Sequence, residues 1–324
     1  VAVEESPAAV TQPDDESEDA ALRRRRAHAI ASVVGAAAFF AVASALVKWV
    51  APEIPTVQIV FFRSFVALIA LWPMIRREGG VKVLATRRPG WHVLRTLAGF
   101  GGMFSSFYGY AKLPLAEVTA LGFTMPLFLT ALSIPLLGET VGIRRWAAVI
   151  VGFLGVLLIL RPGAGAIPLA PALVVVAGAV CWAMAMIAIR RMGELGESNV
   201  VIVAWFSIGG AVLAGTLTLF AWVTPSLPHL LALIGIGLVS TLAQVLMTEA
   251  YRRGETTLVA PFEYTGILWT SLIGLAVWDE RPAPTMLAGV AVLVASGLYI
   301  LHREVGRRRA VIRTPSAPDR RSRW

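Results

Sequence analysis

Charge is scarce in this sequence. Only 15% of its 324 residues are Asp, Glu, Lys or Arg, whereas 57% are hydrophobic and the mean hydropathy is +0.72. Soluble chains carry roughly 25% charged residues to cover their surfaces, so a water-soluble globule is excluded. Cysteine is nearly absent too. The lone Cys181 lies inside an apolar run, which rules out an internal disulfide, argues against a metal cluster and leaves a small packing residue. The four histidines (His28, His92, His229, His302) are far apart, without zinc-protease spacing. No Gly-Lys pair occurs, so there is no Walker phosphate loop and no ATP motor in this chain. No local pattern resembles a Ser/His/Asp or thiol nucleophile set. The sequence therefore points to no cofactor, no metal and no catalytic residue.

What the chain has instead is long apolar runs, continuous rather than striped, as in helices surrounded by lipid. A membrane helix needs roughly 20 mainly apolar residues to cross about 30 Å of hydrocarbon. Ten spans are expected, near 27–50, 55–75, 90–111, 116–137, 144–160, 168–190, 197–223, 227–251, 256–278 and 282–301. Turn-forming segments such as Ala51-Pro52-Glu53-Ile54-Pro55 and Thr224-Pro225-Ser226 separate them. Residues 1–26 read as a disordered acidic tail ending in the basic cluster Arg23–Arg26, and residues 302–324 as a basic tail. The first run is too long for a signal-peptide core and reads as a retained span.

A formal charge of +9 would suggest nucleic acid in a soluble protein. Here the basic residues sit between apolar runs, where topology accounts for them, and no nucleic-acid partner is expected. With the amino terminus placed in the cytoplasm and the spans alternating, 23 basic residues fall inside: Arg23–Arg26, five in the 76–88 loop, the pairs Arg144-Arg145, Arg190-Arg191 and Arg252-Arg253, and eight from Arg303 onward. Only Lys48, Lys112, Arg161 and Arg281 fall outside. Basic loops favour the cytoplasmic face, so both termini are expected there. A miscounted span would scramble this alternation.

The two halves resemble each other at an offset of about 140 residues: Tyr110-Ala111 corresponds to Glu249-Ala250, Gly138-Glu139 to Asp279-Glu280, and Gly155 to Gly297. A repeat of five spans inserts its second copy upside down, and inverted repeats suit alternating access around a midplane site. Residues 28–301 resemble the drug/metabolite transporter superfamily, in its bacterial ten-span branch with two EamA domains. The resemblance is carried by Lys48-Trp49, Phe61-Phe62-Arg63, Tyr110-Ala111-Lys112-Leu113-Pro114, Pro126, Gly138-Glu139 and Asp279-Glu280. It implies an all-α membrane protein of two inverted five-helix repeats, 27–160 and 168–301, in the bacterial cytoplasmic (inner) membrane. It also implies a secondary transporter of a small-molecule substrate. The stretch from Pro261 to Trp269 resembles members proposed to import riboflavin or S-adenosylmethionine. The second repeat departs from the pattern, with Asp279 where Gly138 stands and no proline near Ile267.

Charge within a span costs on the order of 2.5–3.5 kcal/mol at mid-bilayer, so retained intramembrane charges are functional candidates. Arg63 and Glu263 lie at similar depth from opposite faces, and a structural ion pair competes with substrate or proton contact. Glu263 is the residue for proton coupling, because a carboxylate held between burial and a guanidinium can exchange a proton as the surroundings change. Arg95 is close enough to the cytoplasmic face to snorkel there. Glu249 precedes Arg252 and Arg253 at ion-pair spacing. Lys48 and Glu117 complement helix dipoles, and Glu139 and Glu280 sit at span ends, all read as structural. Pro126 and Pro261 interrupt helices and free the carbonyls of Gly122 and Thr257. Tyr108, Tyr110, Gln244 and Tyr264 are candidates to line a central cavity. Small residues on the fifth and tenth spans (Ala148, Gly152, Ala291, Ala295) permit close packing, including a homodimer. The rivals are a membrane-embedded lipid-modifying transferase, which needs an acidic or histidine cluster that these short loops do not hold, and a scaffold or sensor, which leaves the inverted repeat unexplained.

Overall fold

In lipid no water satisfies an exposed amide, so runs of this length must close their hydrogen bonds internally as helices. The computed structural model describes residues 13–137, 142–161, 167–253 and 256–313, and among them there is no strand. The helices are α1 (Pro13–Val50), α2 (Thr56–Arg77), α3 (Pro89–Lys112), α4 (Leu115–Gly122), α5 (Met125–Leu137), α6 (Ile143–Leu160), α7 (Leu169–Glu194), α8 (Asn199–Thr218), α9 (Leu227–Arg253), α10 (Thr256–Glu263), α11 (Thr265–Trp278) and α12 (Pro284–Arg313), with a short 3-10 turn at Gly80–Leu84.

Eight segments among the described residues are long and apolar enough to cross a membrane: Ala20–Val50, Thr56–Arg77, Leu115–Leu136, Leu169–Glu194, Asn199–Thr218, Leu227–Tyr251, Leu258–Trp278 and Pro284–His302. Trp146–Leu160 is apolar but shorter, and the 24-residue α3 is not among the eight. The largest boundary differences from the sequence reading are at two places, and α8 also stops at Thr218, short of the expected 223. Helix α1 starts at Pro13, inside the stretch read as a tail, and α12 runs on to Arg313. Proline followed by Asp14, Asp15 and Glu16 is a favourable helix start, with its fixed φ and acidic first turn. Residues 1–12 lie outside the described residues.

Helix pairing follows the repeat. Helix α1 packs on α9 and α11, and its counterpart α7 packs on α3 and α5; α2 packs on α8, and α6 on α12. Exchanging the halves maps these pairings onto one another. Large apolar side chains cover the outside, among them Ile69, Ile150, Val212, Leu231, Leu268 and Val277, each at least 60% exposed, as a lipid-facing surface requires.

The α6–α12 crossing is built on small residues. A Cβ on Gly155 would come within 2.8 Å of the Gly289 carbonyl, and one on Gly289 within 2.6 Å of the Gly155 carbonyl, so the backbones touch. Ser296 Oγ donates to the Ala148 carbonyl at 2.5 Å across the same interface. Ala148 is thereby buried inside one chain, whereas Ala291 and Ala295 face outward.

Candidate functional site

Two spans are broken. The fourth run divides into α4 and α5 at Phe123–Thr124, and the ninth into α10 and α11 at Tyr264. At the first break the Thr124 hydroxyl donates to the Leu121 carbonyl at 2.7 Å. Pro126, second residue of α5, has no amide to donate. Pro261 differs from expectation: it lies inside α10, and the break follows at Tyr264, three residues on. The Phe123 and Tyr264 rings meet with centroids 4.7 Å apart at 56°. Gly266 faces Thr119 and Phe123 across this gap. From α3, the Tyr110 hydroxyl lies beside those of Ser44 and Thr119. Tyr110 and Tyr264 therefore both reach the region where the two repeats meet.

The other lining candidates do not converge there. Tyr108 runs along its own helix, parallel to Phe104 at 6.4 Å. Gln244 is half-buried on α9, and its side chain makes no hydrogen bond among the described residues. Glu249 is half-buried on the same helix, and the side chains of Arg252 and Arg253 lie outside the described residues.

At one end of the bundle the helix termini are tied together. Lys48 Nζ, closing α1, meets Glu280 Oε1 at 2.5 Å and donates to the Leu113 carbonyl at 2.8 Å. Glu280 Oε2 accepts the Leu115 amide at 2.9 Å, and Trp278 presents its ring 5.7 Å from Lys48 Nζ. Beside them Arg161 pairs with Glu117 at 2.9 Å, and Glu117 is buried. Glu280 is aimed inward by the turn before it. Asp279 caps α11 in the left-handed region, φ 53°, with its amide bonded to the Leu275 carbonyl, and Gly274 leaves room for the carboxylate. Asp is among the few non-glycine residues that adopt this conformation readily, which accounts for Asp279 standing where the first repeat has glycine. A small cavity of about 50 Å³ lies here, lined by Glu117, Thr270, Ser271, Gly274 and Glu280. Read one by one as dipole partners, Lys48, Glu117 and Glu280 are instead a single network between the repeats. The available signal was that all three, with Arg161, fall at one face of the alternating spans. Glu139, the counterpart of Glu280, lies outside the described residues.

The expected Arg63–Glu263 pair does not form. Helix α10 packs on α1, α9 and α12, whereas α2 packs on α8, α9 and α3, so similar depth does not bring the two side chains together. Glu263 instead accepts a short hydrogen bond from the Tyr251 hydroxyl, one residue before the α10–α11 break. Arg63 sits over the Phe206 ring, with Cζ 5.6 Å from its centroid. Arg95 does not snorkel: it is 7% exposed, runs along α3 toward Gly99, and packs on the same ring at 4.0 Å. Among the described residues no group of three or more His, Cys, Asp or Glu side chains could hold a metal.

Comparison with known proteins gives this architecture a family. Residues 28–161 and 169–302 each match the EamA-like transporter family. The chain is 29% identical over 257 residues to the S-adenosylmethionine uptake transporter of Rickettsia bellii, covering 79% of this chain and 87% of that protein. It is 32% identical over 260 residues to the pseudopaline exporter CntI of Pseudomonas aeruginosa, covering 79% and 90%. It is 27% identical over 274 residues to the riboflavin transporter of Vibrio cholerae, covering 83% and 91%. A solved crystal structure shares the fold with a TM-score of 0.60 at 19% identity, over 86% of this chain and 97% of that one. The matches begin at 28 and 169, an offset of 141 that pairs Phe123 with Tyr264, so the two touching rings are counterparts across the repeat. The chain belongs to the EamA-like transporter family, within the drug/metabolite transporter superfamily that its sequence resembles.

Proposed function

We propose that the chain carries a small polar or amphipathic metabolite across the bacterial cytoplasmic membrane by alternating access, with α3 and α6 crossing too and ten spans in all. The observation that carries this reading is an asymmetry between repeats that otherwise pack alike. Helix α4 packs on α11 and the Lys48–Glu280 network joins them, whereas among the described residues the counterpart pair α10 and α5 makes no comparable contact. On this reading the tied Lys48 end is the closed end of one of the two equivalent states that inverted repeats can exchange. The 23-to-4 distribution of basic residues favours the Lys48 end as the outer one, which makes this the state closed to the outside.

The names of the relatives supply the first substrates to try, S-adenosylmethionine and riboflavin. No enzymatic step enters this reading. If a second copy docks, the outward-facing Ala291 and Ala295 are the surface that it uses.

Proteoliposomes containing the purified chain are expected to take up at least one metabolite, with saturation and counterflow. Single cysteines in a Cys181→Ser background at the outer ends of α3 and α11 should change labelling on substrate addition, and inner-end cysteines in the opposite sense. Labelling indifferent to a transported substrate would sink the rocking mechanism.

Proton coupling is favoured at Glu263, bonded to Tyr251 beside a helix break. Glu263→Gln keeps the shape and removes the titration, so pH-driven accumulation should be lost while counterflow survives. Unchanged accumulation would move the coupling site elsewhere.

A further inference from the structure

Arg63 and Arg95 are the two cations that the alternating-loop distribution leaves over. Of the 29 basic residues, 23 fall on the inner side and four on the outer, and these two lie within spans. They come from different helices, α2 and α3, yet both guanidinium carbons lie over one ring, Phe206 of α8, at 5.6 and 4.0 Å from its centroid. The two like charges are therefore no farther apart than the sum of those distances.

Three features set the pair apart from packing residues. First, among the described residues neither guanidinium meets a carboxylate. Glu197, which faces His92 of α3 at 3.8 Å, accepts a hydrogen bond from the Thr86 hydroxyl at 2.6 Å. Second, Nε and Nη1 of Arg95 are buried without any hydrogen-bond partner. Buried polar groups are nearly always satisfied, and a buried unpaired charge is among the costliest arrangements a fold can hold. Third, Arg95 has a short route to water and does not take it. Long cationic side chains near a span end extend toward the interface, but this one runs the other way, toward Gly99, where a Cβ would collide with its guanidinium. An aromatic face offers only part of what water would. An anion between the two forks supplies the rest, because a guanidinium matches a carboxylate through two parallel N–H donors.

We propose that Arg63 and Arg95 together receive a carboxylate of the transported molecule, with the Phe206 ring as one wall of the site. Arg63, half-buried, admits the anion, and Arg95, fully enclosed, fixes it. The substrates this selects are carboxylate-bearing metabolites, amino acids and their conjugates among them. The proposal rests on the transport reading for what the carboxylate belongs to; the anion site itself stands on binding alone.

The test uses the purified full-length chain in detergent at constant ionic strength, with chloride replaced stepwise by acetate, succinate or phosphate and unfolding followed by thermal shift. Acetate and succinate are expected to stabilise the wild type in a saturable manner. Arg63→Gln and Arg95→Gln should each raise the half-saturating concentration about tenfold or more, as expected for losing a charge-assisted pair. Arg95→Lys, which keeps the charge but not the fork, should fall between. Arg76→Gln removes an exposed guanidinium over Trp72 and should bind like the wild type. A wild type that does not distinguish carboxylates from chloride, one that saturates with phosphate alone, or Gln variants that bind carboxylates normally would each overturn the proposal. If a Gln variant fails to fold, Arg63→Lys and Arg95→Lys carry the same comparison. Transport in proteoliposomes separates the two readings. Succinate binding with no metabolite transported counts against the transport reading and leaves the site. Normal transport by variants that have lost succinate binding removes the site from the substrate path and leaves transport intact.

Discussion

The two ends of the bundle are built from the same repeat but carry different side chains. At the Lys48 end, α1, α4, α6 and α11 are joined by the Lys48–Glu280 and Arg161–Glu117 pairs. The offset of 141 places Ile189 opposite Lys48 in the repeat, Leu258 opposite Glu117 and His302 opposite Arg161. The main helix pairings recur, but the side chains of the ionic lock do not. On the proposed alternating-access reading, repeated packing would give the fold two equivalent ways to close, and the unrepeated residues would decide which lies lower in energy. A ligand arriving from the locked side binds with an affinity reduced by the fraction of time that side stands open.

Breaking that comparison most directly means removing its acid. Glu280→Gln leaves Lys48 without its counter-charge. We expect a loss of about 2 kcal/mol, below the 3–5 kcal/mol of fully buried pairs because both side chains keep 16% exposure. Ser271→Cys, in the small cavity behind the lock, should label slowly in a Cys181→Ser background and several-fold faster once Glu280→Gln is added. Equal rates would show that the lock does not hold this end closed. Next come the counterpart rings. Phe123→Ala and Tyr264→Ala each forfeit the same aromatic contact, worth about 0.5–1.5 kcal/mol beyond area burial, so each should lower stability against unfolding by at least that much. A double variant that loses only as much as the larger single variant would confirm that the two rings act as a pair, and fully additive losses would show that they do not.

Smaller effects sharpen the same contrast. Gly289→Ala forces a Cβ against the Gly155 carbonyl and should cost about 1–3 kcal/mol. Gly122→Ala meets open space and should leave the unfolding temperature unchanged or slightly raised. The smallest change is expected for Arg281→Gln. Its partner is Asp279, and both side chains are more than three-quarters exposed, so stability and transport should both stay at wild-type values.

Which residues share a helix was legible in the sequence, and the direction of their side chains was not. Apolar runs separated by turn-forming segments group residues into helices, because that follows from distance along the chain. They do not fix which way a side chain points around the helix. Arg63 and Glu263 were expected to lie near enough in depth for a long Arg side chain to bridge them, yet they face different neighbours, and Arg95 was expected to reach for water when it turns inward. Pro126 marked its break because a missing amide acts locally. Tyr264 gave no such signal, since Pro261 sits within α10 and the interruption follows it. The Lys48–Glu280 pair spans both repeats, so each residue looked sufficient alone as a helix-end charge. Phe123 was missed for the opposite reason: an ordinary aromatic in an apolar run is conspicuous only when set against its repeat counterpart.

The backbone contact between Gly155 and Gly289 has a mechanical consequence. At the offset of 141 Gly155 pairs with Ser296 rather than with Gly297, and Ala148 with Gly289, so the Ser296–Ala148 contact is its repeat counterpart and α6 and α12 touch at two related points along their lengths. Two rods pressed together at two points can neither pivot about each other nor draw closer. The pair is therefore a fixed keel, and any rocking must be done by the other helices swinging past it. A distance measured between probes on α6 and α12 should hold still through the transport cycle, and displacements elsewhere in the molecule can be referred to it as zero.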